Sequence, residues 1–222
     1  MTPLIFWDVD TLYDFMRSDG KLYVPGSEAI IPVVEALTDF AHDHQVPIVA
    51  SADNHELSDA EISDAPDWKT TFPPHAMRGS PGQLKIAETA LRDPLVIEPD
   101  PVDPEALARR VLDHRGDFLL HKRTLDVFSN ANVPALLRAL DPQAVVLYGV
   151  ATDFCDRYTI EGLLKQLPRS EILLVTDAIR AIYPGEGDRL VADWEERGVQ
   201  LVESTQILHG GLLEPYLPAG AV

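Results

Sequence analysis

A lone cysteine, Cys155, stands in the segment AVVLYGVATDFCDRYT, residues 144–159. Ala144–Tyr148 is an apolar, β-branched run long enough for one buried strand, and Gly149 interrupts it. Asp153 occupies a helix-cap position, and Phe154–Leu164 carries apolar residues at helical spacing. Cys155 is therefore expected in the first turn of a helix. Free N–H groups and the positive dipole end favour an anion there, so the thiol should ionise easily. A thiolate mounted in this way is a nucleophile. A nearby ammonium would favour it further, and a nearby carboxylate could take its proton and return it to a leaving group. Asp10 and Lys122 have the types required, and like Cys155 each follows a strand-like run. The N–H groups at the turn into the helix, that of Cys155 included, suit an oxyanion.

A second constellation is Asp53-Asn54-His55 with His75 in FPPHAMRGSPG. In extended backbone Asp53 and His55 point to the same side. One carboxylate and two imidazoles suit a divalent transition metal such as zinc, iron or manganese. Taken singly, each residue also has an ordinary fate. Cysteine is most often a small buried apolar residue, Asp10 could close a turn, and Lys122 and His75 could face solvent.

The elements that must position these groups follow from periodicity. Strands are expected at Leu4–Val9, Val46–Ala52, Asp117–His121, Ala144–Tyr148, Glu171–Thr176 and Val199–Glu203. Helices are expected at Ser27–His44, Gln83–Leu91, Pro104–His114, Val133–Leu140, Phe154–Leu164 and Gly187–Arg197. DPLVIEPDPVDP reads as a surface excursion, and the tail GGLLEPYLPAGAV as a segment lying over the surface or a neighbour. Residues 51–82, rich in Asp, Pro, Ser and Gly, form a long loop of the kind that usually carries function. Alternating strands and helices imply one three-layer α/β/α domain over residues 1–222. Its central sheet should be mainly parallel, with about six strands. Ligands of such sheets bind beyond the carboxyl ends of the strands. Asp10, Asp53, Lys122 and Cys155 all fall there.

The net charge of -18, from 18 Lys+Arg against 36 Asp+Glu, repels phosphate backbones and argues against nucleic acid as a partner. A single cysteine excludes an internal disulfide framework and fits a reducing cytoplasm. MTPLIFWDVD has no signal-peptide pattern, and no apolar run reaches the ~20 residues of a membrane span.

GVATDFC with Thr159 after it, Asp10 with Asp14-Phe15 in the spacing D-x-x-x-D-F, VPG at residues 24–26, D-x-H at residues 53–55 and PPH followed by GSPG resemble the isochorismatase-like cysteine hydrolases, in their nicotinamidase branch. The resemblance runs from Ile5 to about Thr205 and is least clear from Glu88 to Arg115. It implies an isochorismatase-like, Rossmann-like fold and a catalytic set of Asp10, Lys122 and Cys155. It also implies a cis Val150–Ala151 peptide that aims an oxyanion donor. A metal ion, zinc before iron or manganese, would be held by Asp53, His55 and His75, with Glu61 about where some members add a ligand. Phe15 and Phe72 would pack against the substrate ring; many nicotinamidases have Trp at the second position. Leu12 stands where the family commonly has Gln. Tyr13, Trp68 and Tyr158 receive no role. The implied reaction is hydrolysis of a small amide, nicotinamide foremost, in a cytoplasmic homo-oligomer.

Other readings compete. A relative with little need of metal could act on a carbamoyl or ureido amide. A non-catalytic relative could bind a partner, though it would have no chemical reason to keep Asp10, Lys122 and Cys155 together. IFWDVDTLYD also resembles the haloacid-dehalogenase-like phosphatases. There Asp8 would be the nucleophile, Asp10 the acid/base, Ser51 the second-strand hydroxyl, and Asp188 and Asp193 the late acidic pair. The glycine after the second aspartate of that motif is missing here.

Overall fold

The computed structural model describes residues 2–217. Its strands are β1 (Leu4–Val9), β2 (Ile48–Asp53), β3 (Leu95–Ile97), β4 (Phe118–Lys122), β5 (Ala144–Val150), β6 (Glu171–Arg180) and β7 (Gln200–Val202). They form one parallel sheet of seven strands in the order β3-β4-β2-β1-β5-β6-β7. The α-helices are α1 (Tyr13–Met16), α2 (Ile31–Asp43), α3 (Pro104–Asp113), α4 (Val133–Leu140), α5 (Arg157–Gln166), α6 (Pro184–Glu196) and α7 (Ser204–Leu208).

Strand alternation sorts the apolar residues into two cores. From β1, Leu4 and Phe6 face α2 and α7 beside Val34, Leu37 and Ile207. Ile5, Trp7 and Val9 face the other way, among Leu107, Leu136, Leu163 and Trp194 of α3, α4, α5 and α6. Every residue of β1, β2 and β5 is buried, as expected of central parallel strands covered on both faces. Each large apolar side chain sealed there contributes roughly 1.5–3 kcal/mol. That burial is what fixes the strand ends, and hence the site.

Several expectations need correction. The sheet has seven strands, not about six, because Leu95–Ile97 within the presumed surface excursion pairs with β4. An edge strand tolerates the prolines that argued against it. Gln83–Leu91 is not a helix. It holds short 3₁₀ turns, and its backbone bonds the loop after β1, with Tyr13 N donating to Leu84 O at 2.9 Å and Ile86 N to Thr11 O at 3.1 Å. Tertiary pairing overrode local propensity. Ser27–Ile30 is 3₁₀, and α2 begins after it, with Pro32 in its first turn.

β6 runs on to Arg180, and β5 continues through Gly149 to Val150. Gly149 does not break the strand; it lets β5 approach β1. Its φ is 133°, and any Cβ there would collide with the Val9 carbonyl oxygen. Within the tail, Leu213 is buried in the first core, and residues 218–222 lie outside the described residues. No helix among the described residues is long and apolar enough to cross a membrane.

Candidate active site and metal centre

The strands β4, β2, β1 and β5 are consecutive neighbours, and a reactive side chain leaves the carboxyl end of each. Lys122 ends β4, Asp53 ends β2, Asp10 follows β1 and Cys155 follows β5. Asp53 and Lys122 are register partners. The chain turns at Asp10 in the left-handed region, φ 48°, which aspartate tolerates better than most residues.

Lys122 is fully buried and organises the group. Its Nζ lies 2.9 Å from Asp10 Oδ2, donates to Asp53 Oδ1 and reaches Cys155 Sγ at 3.6 Å. Ser51 Oγ donates to Asp10 Oδ1 at 2.7 Å. Burial pulls the Lys122 ammonium down, but Asp10 and Asp53 outweigh it and hold its pKa well above the ordinary lysine value. Burial raises the Asp10 pKa; Lys122 opposes this and Asp53 adds to it, leaving the carboxyl above its usual range.

Burial also pushes the Cys155 thiol well above its ordinary value. Lys122 works against that, while Asp10, Asp53 and Glu61 reinforce it. This direction runs against the easy ionisation expected from a helix terminus. Residues Thr152–Asp156 form a π-helical turn, α5 starts only at Arg157, and Cys155 is 6% exposed. Asp153 does not cap the helix. Its carboxylate accepts from Ile182 N at 2.9 Å and Tyr183 N at 2.8 Å. The site thus sets a thiol and a carboxyl, both held above their usual ranges, around one buried ammonium. The Val150–Ala151 peptide is cis, as the resemblance implied.

Asp53 faces Lys122 with one carboxylate oxygen and a second cluster with the other. Asp53 Oδ2 lies 3.7 Å from His55 Nε2 and 3.6 Å from His75 Nε2. Glu61 Oε1 lies 3.8 Å from each of the same two nitrogens. One donor atom from each of the four residues falls within 4.8 Å of all the others, and all four residues are buried.

His75 Nδ1 donates to the Pro73 carbonyl at 2.8 Å, which leaves Nε2 with its lone pair turned inward. His55 Nε2 and Glu61 Oε1 have no hydrogen-bond partner although both are sealed from solvent. Buried orphan atoms converging on one point are costly unless something joins them. Two imidazoles and two carboxylates fit a divalent transition metal. Glu61 belongs with the other three by position. Burial, with Asp53 next, raises its pKa to about 7.

Above these groups lies a narrow apolar pocket. Cys155, Asp53, Glu61 and His75 line its base, and Phe15, Leu22, Val24, Phe72, Leu125, Phe154 and Ile182 supply apolar walls. Phe15 and Phe72 lie 5.5 and 6.1 Å from the His75 ring, and Phe154 packs edge-on to Phe72 at 5.6 Å. The aspartyl phosphatase assignment does not survive. Asp8 is tied to Lys85 and to Thr11, at 2.7 and 2.8 Å, and Asp193 pairs with Arg197 at 3.1 Å on α6.

The Isochorismatase domain family model matches residues 3–206. The chain belongs to the isochorismatase family of hydrolases. Solved structures share its fold. A pyrazinamidase of Pyrococcus horikoshii in complex with zinc is 24% identical, with a TM-score of 0.70 over 90% of this chain and 99% of that one. An N-carbamoylsarcosine amidase from Thermoplasma acidophilum is 25% identical, with a TM-score of 0.65 over 92% and 97%. PnC1 from L. infantum in complex with nicotinate is 21% identical, with a TM-score of 0.68 over 92% and 94%. No curated protein is significantly similar to the chain in sequence.

For this isochorismatase-family hydrolase, sequence reasoning missed the cavity walls Leu22, Val24, Leu125, Phe154 and Ile182. An apolar residue next to a nucleophile reads as core until the loops around it are placed. Tyr13, Trp68 and Tyr158, left without roles, are partly exposed and do not line the cavity.

Proposed function

We propose that the chain is a cysteine amidohydrolase whose substrate is a neutral aromatic carboxamide, nicotinamide first. The observation carrying this reading is that Lys122 joins Asp10, Asp53 and Cys155 while Asp53 also faces three further metal-type donors at the base of an apolar cavity.

In this reading Cys155 Sγ attacks the amide carbon as its proton passes to the Asp10 carboxylate. The Lys122 ammonium holds Asp10 in place and stabilises the sulfur as it gains charge. The N–H groups of Ala151 and Cys155 bind the oxyanion. Asp10 returns the proton to the departing nitrogen, ammonia leaves, and a thioester remains on Cys155. A water that gives a proton to Asp10 hydrolyses it to the acid and restores the thiol. Asp53, His55, His75 and Glu61 would hold a divalent ion, zinc foremost; when bound, it supplies a Lewis-acidic anchor for a ring nitrogen. Phe15, Phe72 and Phe154 orient the ring and exclude water.

The same cavity bears on the carbamoyl alternative. Among the described residues its lining contains no Arg or Lys, and Asp53 and Glu61 are part of it. A substrate carrying its own carboxylate would meet no side-chain cation in that lining, only the metal ion that the ring nitrogen would otherwise occupy. Ammonia release should therefore be fastest with nicotinamide or pyrazinamide. Benzamide, which lacks the ring nitrogen, should be about a hundredfold poorer or worse, because a built contact is left unfilled. N-carbamoylsarcosine outperforming nicotinamide would overturn the substrate assignment.

A pH profile follows from the thiol–carboxylate pair, which is active when it holds one proton. Below the raised Asp10 pKa the pair takes a second proton and the base is lost. Above the raised Cys155 pKa the remaining proton is lost. The kcat/KM profile should be bell-shaped. Its acid limb should lie above the ordinary aspartate value and its alkaline limb above the ordinary cysteine value. An alkaline limb at or below the ordinary thiol value would contradict the assignment.

A further inference from the structure

The two histidines of the metal-type cluster are aimed by different means. His75 is held through Nδ1 by a backbone carbonyl, that of Pro73, which no substitution removes. His55 is held through Nδ1 by a side chain, with Asp59 Oδ2 at 3.2 Å. The same oxygen accepts the backbone N–H of Glu56 at 2.9 Å, and Asp59 N donates to Glu56 O at 3.0 Å, so a tight turn fixes the carboxylate. Ile62 N donates to Asp59 O at 3.0 Å, which ties that turn to the residue after Glu61.

We propose that Asp59 is the positioning residue of the centre: it fixes the Nδ1–H tautomer and ring angle of His55, so that the partnerless Nε2 faces Asp53 and Glu61. This rests on the metal reading above. A carboxylate behind a ligating imidazole restricts its rotation and makes the ligand nitrogen more basic, and loss of such a partner typically weakens metal binding about 10- to 100-fold. The residue is half-hidden in a loop with no helical or strand period, which is why spacing alone did not single it out.

The test is competition for Zn²⁺ between the protein and a chromophoric chelator at fixed pH, on wild type, Asp59→Ala and Asp59→Asn. Asp59→Ala should bind Zn²⁺ about 10- to 100-fold more weakly. Asp59→Asn retains an acceptor oxygen and should fall between it and wild type. In the zinc-loaded wild type the His55 Nδ1–H should give a slowly exchanging NMR signal, and it should be lost in Asp59→Ala. That signal reports ring orientation, which a merely structural residue would not govern. If wild type binds Zn²⁺ and both variants match it, the proposal is overturned and the metal reading stands. If wild type binds no Zn²⁺, both fall.

Discussion

Cys155→Ala should abolish ammonia release, lowering turnover by at least about 10⁴-fold, while the unfolding midpoint stays within about 3 °C of wild type. Sγ lines the cavity 3.6 Å from the Lys122 ammonium, and among the described lining residues there is no other thiol, hydroxyl or amine to replace it. The side chain is small, and its loss removes one atom from the edge of the second core. Asp10→Asn should give a deep but smaller loss, about 10²–10⁴-fold, because it removes the proton carrier and leaves the sulfur. Lys122 is a poorer test. Removing it strands Asp10 and Asp53 as unpaired buried carboxylates, and breaking a buried ion pair in this way costs about 3–5 kcal/mol. An inactive Lys122 variant could simply be unfolded. Steady-state ammonia release and thermal unfolding on the Cys155 and Asp10 variants separate chemistry from stability.

His75→Ala should lower metal affinity by more than the ~10- to 100-fold expected for an outer hydrogen-bond partner, and nicotinamide turnover should fall with it. His75 is a cleaner probe than Asp53. Asp53 also bonds Lys122, so its substitution disturbs the nucleophile as well as the donor set. Prolonged chelation of wild type should reproduce the loss, and added Zn²⁺ should restore activity to wild type but not to His75→Ala at equal concentration. Metal content by elemental analysis is the readout. Unchanged content in His75→Ala would remove the donor set from the account. Glu61→Gln measures the fourth donor in the same assay.

Much of the framework was legible in the residues. The β-branched run before Gly149 and the apolar run before Asp10 are buried strands, and the rule that ligands gather beyond strand carboxyl ends brought Asp10, Asp53, Lys122 and Cys155 to one rim. What failed depended on tertiary context. Leu95–Ile97 is too short to announce itself between prolines. Gln83–Leu91 has helical composition, but its backbone N–H and C=O groups find partners in the loop after β1. Asp153 looks like a cap, yet a distant pair of N–H groups claims it. Burial beside three carboxylates raises the thiol's pKa against the single ammonium of Lys122, a direction that spacing along the chain does not show. Glu61 and His75 lie in a loop without period; residue type alone brought His75 into view, and only the family resemblance pointed to Glu61.

The most direct measurement is mass spectrometry of the protein quenched in acid during turnover with nicotinamide, followed by peptide mapping. A pyridine-carbonyl group in thioester linkage on the peptide bearing Cys155, absent in Cys155→Ala, is the predicted result. Steady ammonia release with no acyl group on Cys155, even when hydrolysis of the intermediate is slowed by hydroxide-poor quench conditions, would contradict it.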